Sequence, residues 1–465
     1  MEDLSTTFRD AVTIAREMNV RYLWIDSMCI IQNDTKDWEQ ESVKMGSYYS
    51  NALFNIAAVS ASDGSGGCFS KHNSHETTPC PMTIKVPAQG QNIWTGFLRS
   101  ITSWDKAIQV SGFQRPPLWQ RAWVLQERLL SNRLLMFSDM QMSWKCRQEE
   151  ASESIPEGSI QLFDITQVER MLQLALMGLK KFRVQNVNLA TSSKSATQNL
   201  EYGTEEELKA MYDAWYDLVS SYGKCGLTVA SDIFPAISGI ASFMERATQD
   251  LYIAGLWARD LHRGLLWTAP DSTMSKPDLR QYRAPSWSWA SLTATCGFYV
   301  REILQTNMQI STDMFVIQRM VPQSSHEFPY GRGGFVALEV SGILKPAHPM
   351  DTESGLPEEE IFREIPHGSE TLFDLGERCA LGWYFADNVD RKYLTQIWCC
   401  PILTEERDPR SGDILRNGQT TVKEARGLAL LRLDDSKQVF MRVGSVWIRD
   451  ANWLTGSEMQ LFSII

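Results

Sequence analysis

The first 60 residues alternate between two apolar rhythms. Phe8, Ala11, Val12, Ala15 and Met18 recur at three- and four-residue steps behind Ser5 and Thr6, which predicts a capped amphipathic helix ending near Asn19. RYLWID (21–26) is an apolar run of strand length. From Asp34 or Thr35 a second helix is expected to about residue 52, with Trp38, Met45, Tyr49 and Ala52 along one stripe. LFNIAAVSA (53–61) is a second buried strand. Helix, strand, helix, strand is the rhythm of an α/β domain with a parallel sheet.

DGSGG (63–67) is a loop, and the chain stays irregular to about residue 116. The stretch 117–146 then predicts a helix over 118–130 and strands at RLLMFS (133–138) and MSWKC (142–146). We place the first domain at 1–150. A helical, Trp-rich extension with polar connections follows at 151–300, in which PSWSWAS reads as core packing. Runs such as FVALEVSGIL, QIWCCPIL, GLALLRL and QVFMRVGSVWI predict a β-rich part over 301–465. GRGG (331–334) precedes a strand and reads as a turn, not a phosphate loop.

Composition narrows the function classes. The 465 residues carry 45 Lys and Arg against 56 Asp and Glu, a net charge of −11, with no long basic block. That argues against nucleic acid or an anionic membrane as the main partner. No apolar run approaches the ~18 residues that span a bilayer. The acidic opening MEDLSTTFRD lacks a basic and then greasy leader, so a cytoplasmic protein is expected. Nine irregularly spaced cysteines fit reduced thiols, and Cys29 reads as a small buried side chain at a strand end. The 16 tryptophans point to aromatic-rich cores.

Two acids border apolar stripes. With Trp38 at zero, Glu41 falls at about −60° on its helix, beside the buried face. A carboxylate in the first turns also suits the helix dipole, and a structural role explains it well. Glu127 lies one turn after Trp123 and about 80° from Trp119 on the helix expected at 118–130. An acid half-sheltered beside Trp can have a shifted pKa and host chemistry; an ion pair with Arg121, Arg128 or Arg133 is the structural alternative. Asp26 ends the RYLWID run, where an open α/β sheet places its ligands, or it caps a neighbouring loop. Cys68, His72, His75 and Cys80 give C-x3-H-x2-H-x4-C. That spacing matches no standard zinc finger, so no metal is expected.

RYLWIDSMCIIQND, DWEQESVKMGSYYSNA, FNIAAVSASD and LWQRAWVLQERLLSNRLLMF with SWKC resemble, in this order, the fungal heterokaryon-incompatibility (HET) domain. Downstream, YGKCGLTVASDIFPAISGIA, YIAGLWARDL and APSWSWAS resemble the extension of large fungal members. The resemblance implies a cytoplasmic effector of non-self recognition and programmed cell death. Such domains are similar in architecture to Toll/interleukin-receptor (TIR) domains, which implies a flavodoxin-like parallel sheet with flanking helices. Family members open with a strand bearing a Leu-Ser-Tyr-x-Trp-Gly-like motif; Met1 stands almost at the first helix, so the resemblance implies that this strand is lacking.

TIR enzymes carry Trp-x-x-x-Glu on the helix of their catalytic glutamate, and Trp123 to Glu127 has that spacing. By this resemblance Glu127 is the catalytic candidate, Asp26, Trp123 and Arg121 line the substrate, and Glu41 is a second candidate. NAD is the implied substrate, with no cofactor. Homo-oligomers through the HET domain and an unidentified protein trigger are the implied partners. Two competing readings are a signalling module that acts by self-association alone and an inactive, truncated member.

Overall fold

The computed structural model describes residues 4–69, 80–85, 93–98, 116–139, 141–146, 148–159, 204–269, 283–292, 297–298, 309–322, 335–350, 370–374, 379–387, 396–407, 422–434 and 436–465. The chain divides into two compact units, Met1–Leu179 with Cys225–Phe243, and Lys180–Lys224 with Met244–Ile465.

In unit 1, helix α1 (Thr6–Glu17) starts at Ser5, whose side chain accepts from the Phe8 amide. It is tied to the DGSGG loop, because Asp10 accepts the Cys68 amide at 2.8 Å and Thr7 bonds the Gly64 carbonyl at 3.0 Å. One-turn helix α2 (Asp26–Cys29) precedes α3 (Thr35–Asn51), which Asp34 caps by accepting from Lys36 and Asp37. Strand β1 (Asn55–Ala58) follows, then a separate hairpin of β2 (Cys80–Lys85) and β3 (Ile93–Leu98). After helix α4 (Ala122–Leu130) come β4 (Arg133–Phe137), β5 (Met142–Cys146), β6 (Glu150–Ser152) and β7 (Ile155–Ser159).

The sheet runs β1-β4-β5-β6-β7. Ile14, Cys68 and Phe137 pack with Phe54, Ile56 and Leu135, while Ala57, Val59 and Leu134 pack with Leu118 and Trp119. Alternate residues of β1 and β4 therefore feed two clusters, as a strand covered on both faces requires.

Four expectations need correction. The sheet is mixed, with β1·β4 its one parallel pair among the described residues and antiparallel ladders beyond β4. Residues 21–25 lie outside any strand, and the backbone of 21–24 makes no hydrogen bonds among the described residues. Tyr22 is 79% exposed there, and Cys29 is exposed in α2. The helix expected at 118–130 is broken at Arg121, which is extended (φ −87°, ψ 131°) between a 3-10 turn (Pro117–Gln120) and α4. Gly226 causes the break: it donates to the Gln120 carbonyl at 2.6 Å and accepts the Ala122 amide at 3.0 Å.

Helix α4 then packs against α3 and against residues 235–243. Gln126, buried, accepts the Gly239 amide at 2.6 Å. A Cβ on Gly46 would stand 3.0 Å from the Gly239 Cα, so this crossing requires glycine.

Unit 2 contains α5 (Glu205–Tyr222), which opens with a Thr204–Glu207 capping box. Helix α6 (Pro235–Thr248) ends within it, followed by β8 (Tyr252–Ile253), β9 (Leu256–Trp257), helix α7 (Leu261–Gly264), β10 (Trp267–Thr268) and β11 (Gly297–Phe298). Trp215, Trp257, Trp267, Trp287 and Trp289 are buried, so the Trp-rich stretch is core. Indoles of Trp215 and Trp289 both donate to the Gly255 carbonyl at 2.9 Å.

The remaining strands are β12 (Gln309–Ser311), β13 (Phe315–Pro322), β14 (Phe335–Ile343), β15 (Lys345–Met350), β16 (Glu370–Asp374), β17 (Cys379–Ala386), β18 (Ile397–Arg407), β19 (Val422–Asp434), β20 (Val439–Ile448) and β21 (Met459–Ile464). Antiparallel ladders join β15, β16, β17, β20, β19, β18 and β15 again, a closed six-stranded ring. Ala347, Cys399, Ala425, Ala429, Val446 and Ile448 belong to its core, small and branched residues suited to a narrow barrel. The C-terminal part is β-rich, as its apolar runs predict. GRGG (331–334) lies outside the described residues.

Candidate functional site

Three of the residues marked from sequence come together in unit 1. Asp26 opens α2, Arg121 stands at the N-terminal end of α4, and Glu127 sits in the last turns of α4. The half-buried Glu127 feels the negative charge of Asp26, the positive charge of Arg121 and the polar hydroxyl of Tyr49 from α3. Burial, and then the Asp26 charge, push the Glu127 carboxyl up to about 7; Tyr49 and Arg121 pull the other way. A carboxyl that titrates near neutrality beside a second acid is poised for acid–base or charge-stabilising work.

The structural alternative for Glu127 was an arginine clasp. Among the described residues Glu127 has no ion pair: Arg128 lies over the Trp119 ring at 5.3 Å, Arg133 donates to the Leu53 carbonyl at 3.2 Å, and Arg121 is exposed and acts through its field.

Trp123 has other partners. Its indole donates to Asp232 at 3.1 Å, and its ring meets Trp38 edge-on at 6.4 Å. Glu41 accepts from Lys44 at 2.7 Å and from the Tyr48 hydroxyl at 2.5 Å, and these bonds hold its carboxyl below the usual range. Cys68 is buried, its thiol pushed up to about 12 by burial, while His72 and His75 lie outside the described residues.

Sequence reasoning missed four members. Tyr49 was placed only in the buried stripe of its helix. Burial, and then the Glu127 charge, push its hydroxyl well above the usual range, so it remains a proton-bearing donor. Trp24 meets Tyr49 edge-on at 5.8 Å and Tyr48 at 4.9 Å. Asn55 donates to the Tyr49 carbonyl at 3.0 Å and to the Ser131 hydroxyl at 2.6 Å, and Ser131 donates to the Glu127 carbonyl at 2.6 Å. An amide inside the apolar run LFNIAAV was the available signal, since a polar group in a buried strand needs partners.

The family-model comparison matches residues 1–127 to the Heterokaryon incompatibility protein (HET) family. Residues 1–127 are a HET domain. The matched stretch contains Asp26, Tyr49, Asn55 and Arg121 and ends on Glu127. No curated protein and no solved structure matches the chain. No helix among the described residues is long and apolar enough to cross a membrane.

Proposed function

We propose that the HET domain hydrolyses the nicotinamide–ribose bond of NAD, with Glu127 as the catalytic carboxylate, and that this activity drives programmed cell death in fungal non-self recognition. One observation carries the reading: the Glu127 carboxyl lies within the fields of Asp26, Tyr49 and Arg121, with no ion pair to lock it among the described residues. The TIR-like Trp-x-x-x-Glu spacing of Trp123 and Glu127 supports it by analogy.

Cleavage breaks the bond between ribose C1′ and the nicotinamide nitrogen, and the electron pair leaves with nicotinamide. The sugar develops oxocarbenium character, which a fixed carboxylate stabilises while accepting hydrogen bonds from ribose hydroxyls. Water adds to C1′ and releases a proton, giving ADP-ribose. Asp26 and Glu127 supply negative potential for the cationic pyridinium and the developing charge. Arg121, exposed at the start of α4, supplies positive charge for the pyrophosphate. Trp123 supports the helix that carries Glu127 through its contacts with Asp232 and Trp38. No metal or cofactor takes part in this scheme.

The full chain, incubated with NAD alone and after induced self-association, is expected to release nicotinamide and ADP-ribose. Glu127→Gln is expected to reduce turnover by ~100-fold or more with an unchanged circular dichroism spectrum. Wild-type turnover that survives this substitution overturns the assignment.

A second reading, a module that signals by self-association without chemistry, draws on the backbone of residues 21–24, which makes no hydrogen bond among the described residues, beside exposed Tyr22 and Leu23. Extended segments with unmet N–H and C=O groups pair with other strands. Tyr22→Lys with Leu23→Lys is expected to lower oligomer mass in light scattering; unchanged assembly removes the support for this reading.

A further inference from the structure

Helix α4 is nine residues long and has no side-chain bond at its N-cap. A helix that short is marginal in water, so contacts from elsewhere decide where it starts and how it is turned. Those contacts come from residues 225–243, which lie past the stretch matched to the HET family, 1–127, yet belong to unit 1. The Gly226 carbonyl takes the Ala122 amide at 3.0 Å, and the Gly226 amide donates to the Gln120 carbonyl at 2.6 Å. Asp232 accepts from the Trp123 indole at 3.1 Å. The Gly239 amide donates to the Gln126 side chain at 2.6 Å. Ala122, Gln126 and Trp123 fall within about 100° of one another around α4, and Glu127 follows about 40° beyond Trp123. One segment therefore grips the side of the helix next to Glu127.

Asp232 is the informative member of that grip. It is buried, and among the described residues its carboxylate bonds the Trp123 indole and no cation. A buried acid facing a single neutral donor costs stability. Stability alone gives no reason for an acid there, whereas a fixed oxygen acceptor sets the rotation of the indole and of the helix that bears it. We infer that residues 225–243 are a strap that completes the HET domain, and that Asp232 is a positioning residue that sets α4, and with it Glu127, through the Trp123 indole. The effect on catalysis rests on the NAD-hydrolase reading of Glu127; the strap itself rests on the bonds to α4.

Asp232→Leu and Asp232→Asn, made in the full chain, test this. Leucine removes the acceptor, and asparagine keeps a carbonyl oxygen for the indole. With nitrogen-15 tryptophan labelling, and Trp123→Phe assigning the resonance, solvent exchange of the Trp123 indole N–H is followed directly. It is expected to speed up about tenfold in Asp232→Leu and to stay near the wild-type rate in Asp232→Asn. The kcat for NAD is expected to fall about tenfold in Asp232→Leu with KM little changed, and to recover in Asp232→Asn. Trp123→Phe keeps a ring against Trp38 and should lose the same factor. Asp232→Leu combined with Trp123→Phe should then lose no more than either alone. Should Asp232→Leu fail to fold, kcat and peptide-resolved hydrogen exchange across α4 in Trp123→Phe read the same loosening. Indole exchange that Asp232→Leu leaves unchanged, or losses of kcat that multiply in the double variant, overturn the inference. Faster exchange in a chain that never turns over NAD keeps the strap and sinks the NAD-hydrolase reading instead.

Discussion

Each unit of the molecule holds a carboxyl group pushed up to about 7 with the same three kinds of neighbour. Glu127 has Tyr49, Arg121 and Asp26; Asp260 has Tyr216, Arg263 and Asp213. In unit 2 these groups are closed on one another. Tyr216 donates to Asp260 at 2.5 Å, Arg263 reaches Asp260 at 3.2 Å and Asp213 more closely, and its guanidinium lies 5.6 Å from the Tyr216 ring centre. In unit 1 the arginine is exposed, the second acid repels, and no ion pair reaches Glu127 among the described residues. Burial raises both acids, but only one is restrained by a contacting opposite charge. The difference separates a perturbed pKa that is scaffold from one that is available to a ligand.

The largest effect that tests this contrast is the loss of the clasp. Arg263→Met leaves Asp260 and Asp213 without their cation, and is expected to destabilise unit 2 by ~3–5 kcal/mol. Urea unfolding followed by tryptophan fluorescence reads it, because Trp215, Trp257, Trp267, Trp287 and Trp289 all belong to that unit. Arg121→Met is expected to cost under ~0.5 kcal/mol, as an exposed side chain without an ion pair among the described residues, while weakening NAD turnover. Equal destabilisation by the two substitutions would erase the distinction between the clusters.

Much of the unit 1 cluster was legible in the chain, and the misses have physical causes. Glu127 and Asp26 stood out because an acid bordering an apolar run needs an explanation. Tyr49 did not, because a tyrosine at helical spacing among apolar residues reads as core; its polar tip counts only once α3 and α4 are known to cross. Gly46 of α3 sits against Leu130 of α4 and against Gly239 of α6, the latter a contact across nearly 200 positions that no local period encodes. RYLWI has the composition of a strand, but composition does not supply a ladder partner, and none is found among the described residues. The break at Arg121 is likewise tertiary, imposed by the Gly226 backbone. In unit 2 the strands were readable as apolar runs. Their closure into a ring was not, since β15 meets β18 through pairings distant in sequence.

A second contrast is one of sign. Burial holds a proton on Glu127 up to about 7, above the 4.5 of a free glutamate, so the folded state binds more protons than the unfolded chain between those values. Stability contributed by Glu127 is therefore full below pH 4.5 and lost as pH rises through 7. Glu127→Gln removes a carboxylate that faces the charge of Asp26, and is expected to raise unit 1 stability at pH 8 by ~0.5–2 kcal/mol. Asp260→Asn withdraws an acceptor from Arg263 and Tyr216, and is expected to lower unit 2 stability by ~2–4 kcal/mol at the same pH. Hydrogen exchange, resolved by peptide, assigns each change to its unit. Both substitutions destabilising would place Glu127 among the structural acids.

The smallest effect concerns Glu41, the candidate acid on α3. Glu41 resembles Glu127 in having a tyrosine hydroxyl, Tyr48, beside it, and the two tyrosines are consecutive. Its cation, though, is Lys44 on the same helix, at 2.7 Å and half exposed. Such a pair is screened and flexible, so Lys44→Met is expected to leave the unfolding midpoint unchanged within error. The Lys44 and Tyr48 bonds hold the Glu41 carboxyl below 4.5, so its contribution is present above that pH and lost below it, opposite in sense to Glu127. Neither Lys44→Met nor Glu41→Gln should alter NAD turnover at pH 7. A loss of turnover in Glu41→Gln as deep as that in Glu127→Gln would show that the adjacent tyrosines serve two acids in one reaction, and the difference between a carboxylate satisfied by Lys44 and Tyr48 and one with no ion pair among the described residues would no longer decide which acid does the chemistry.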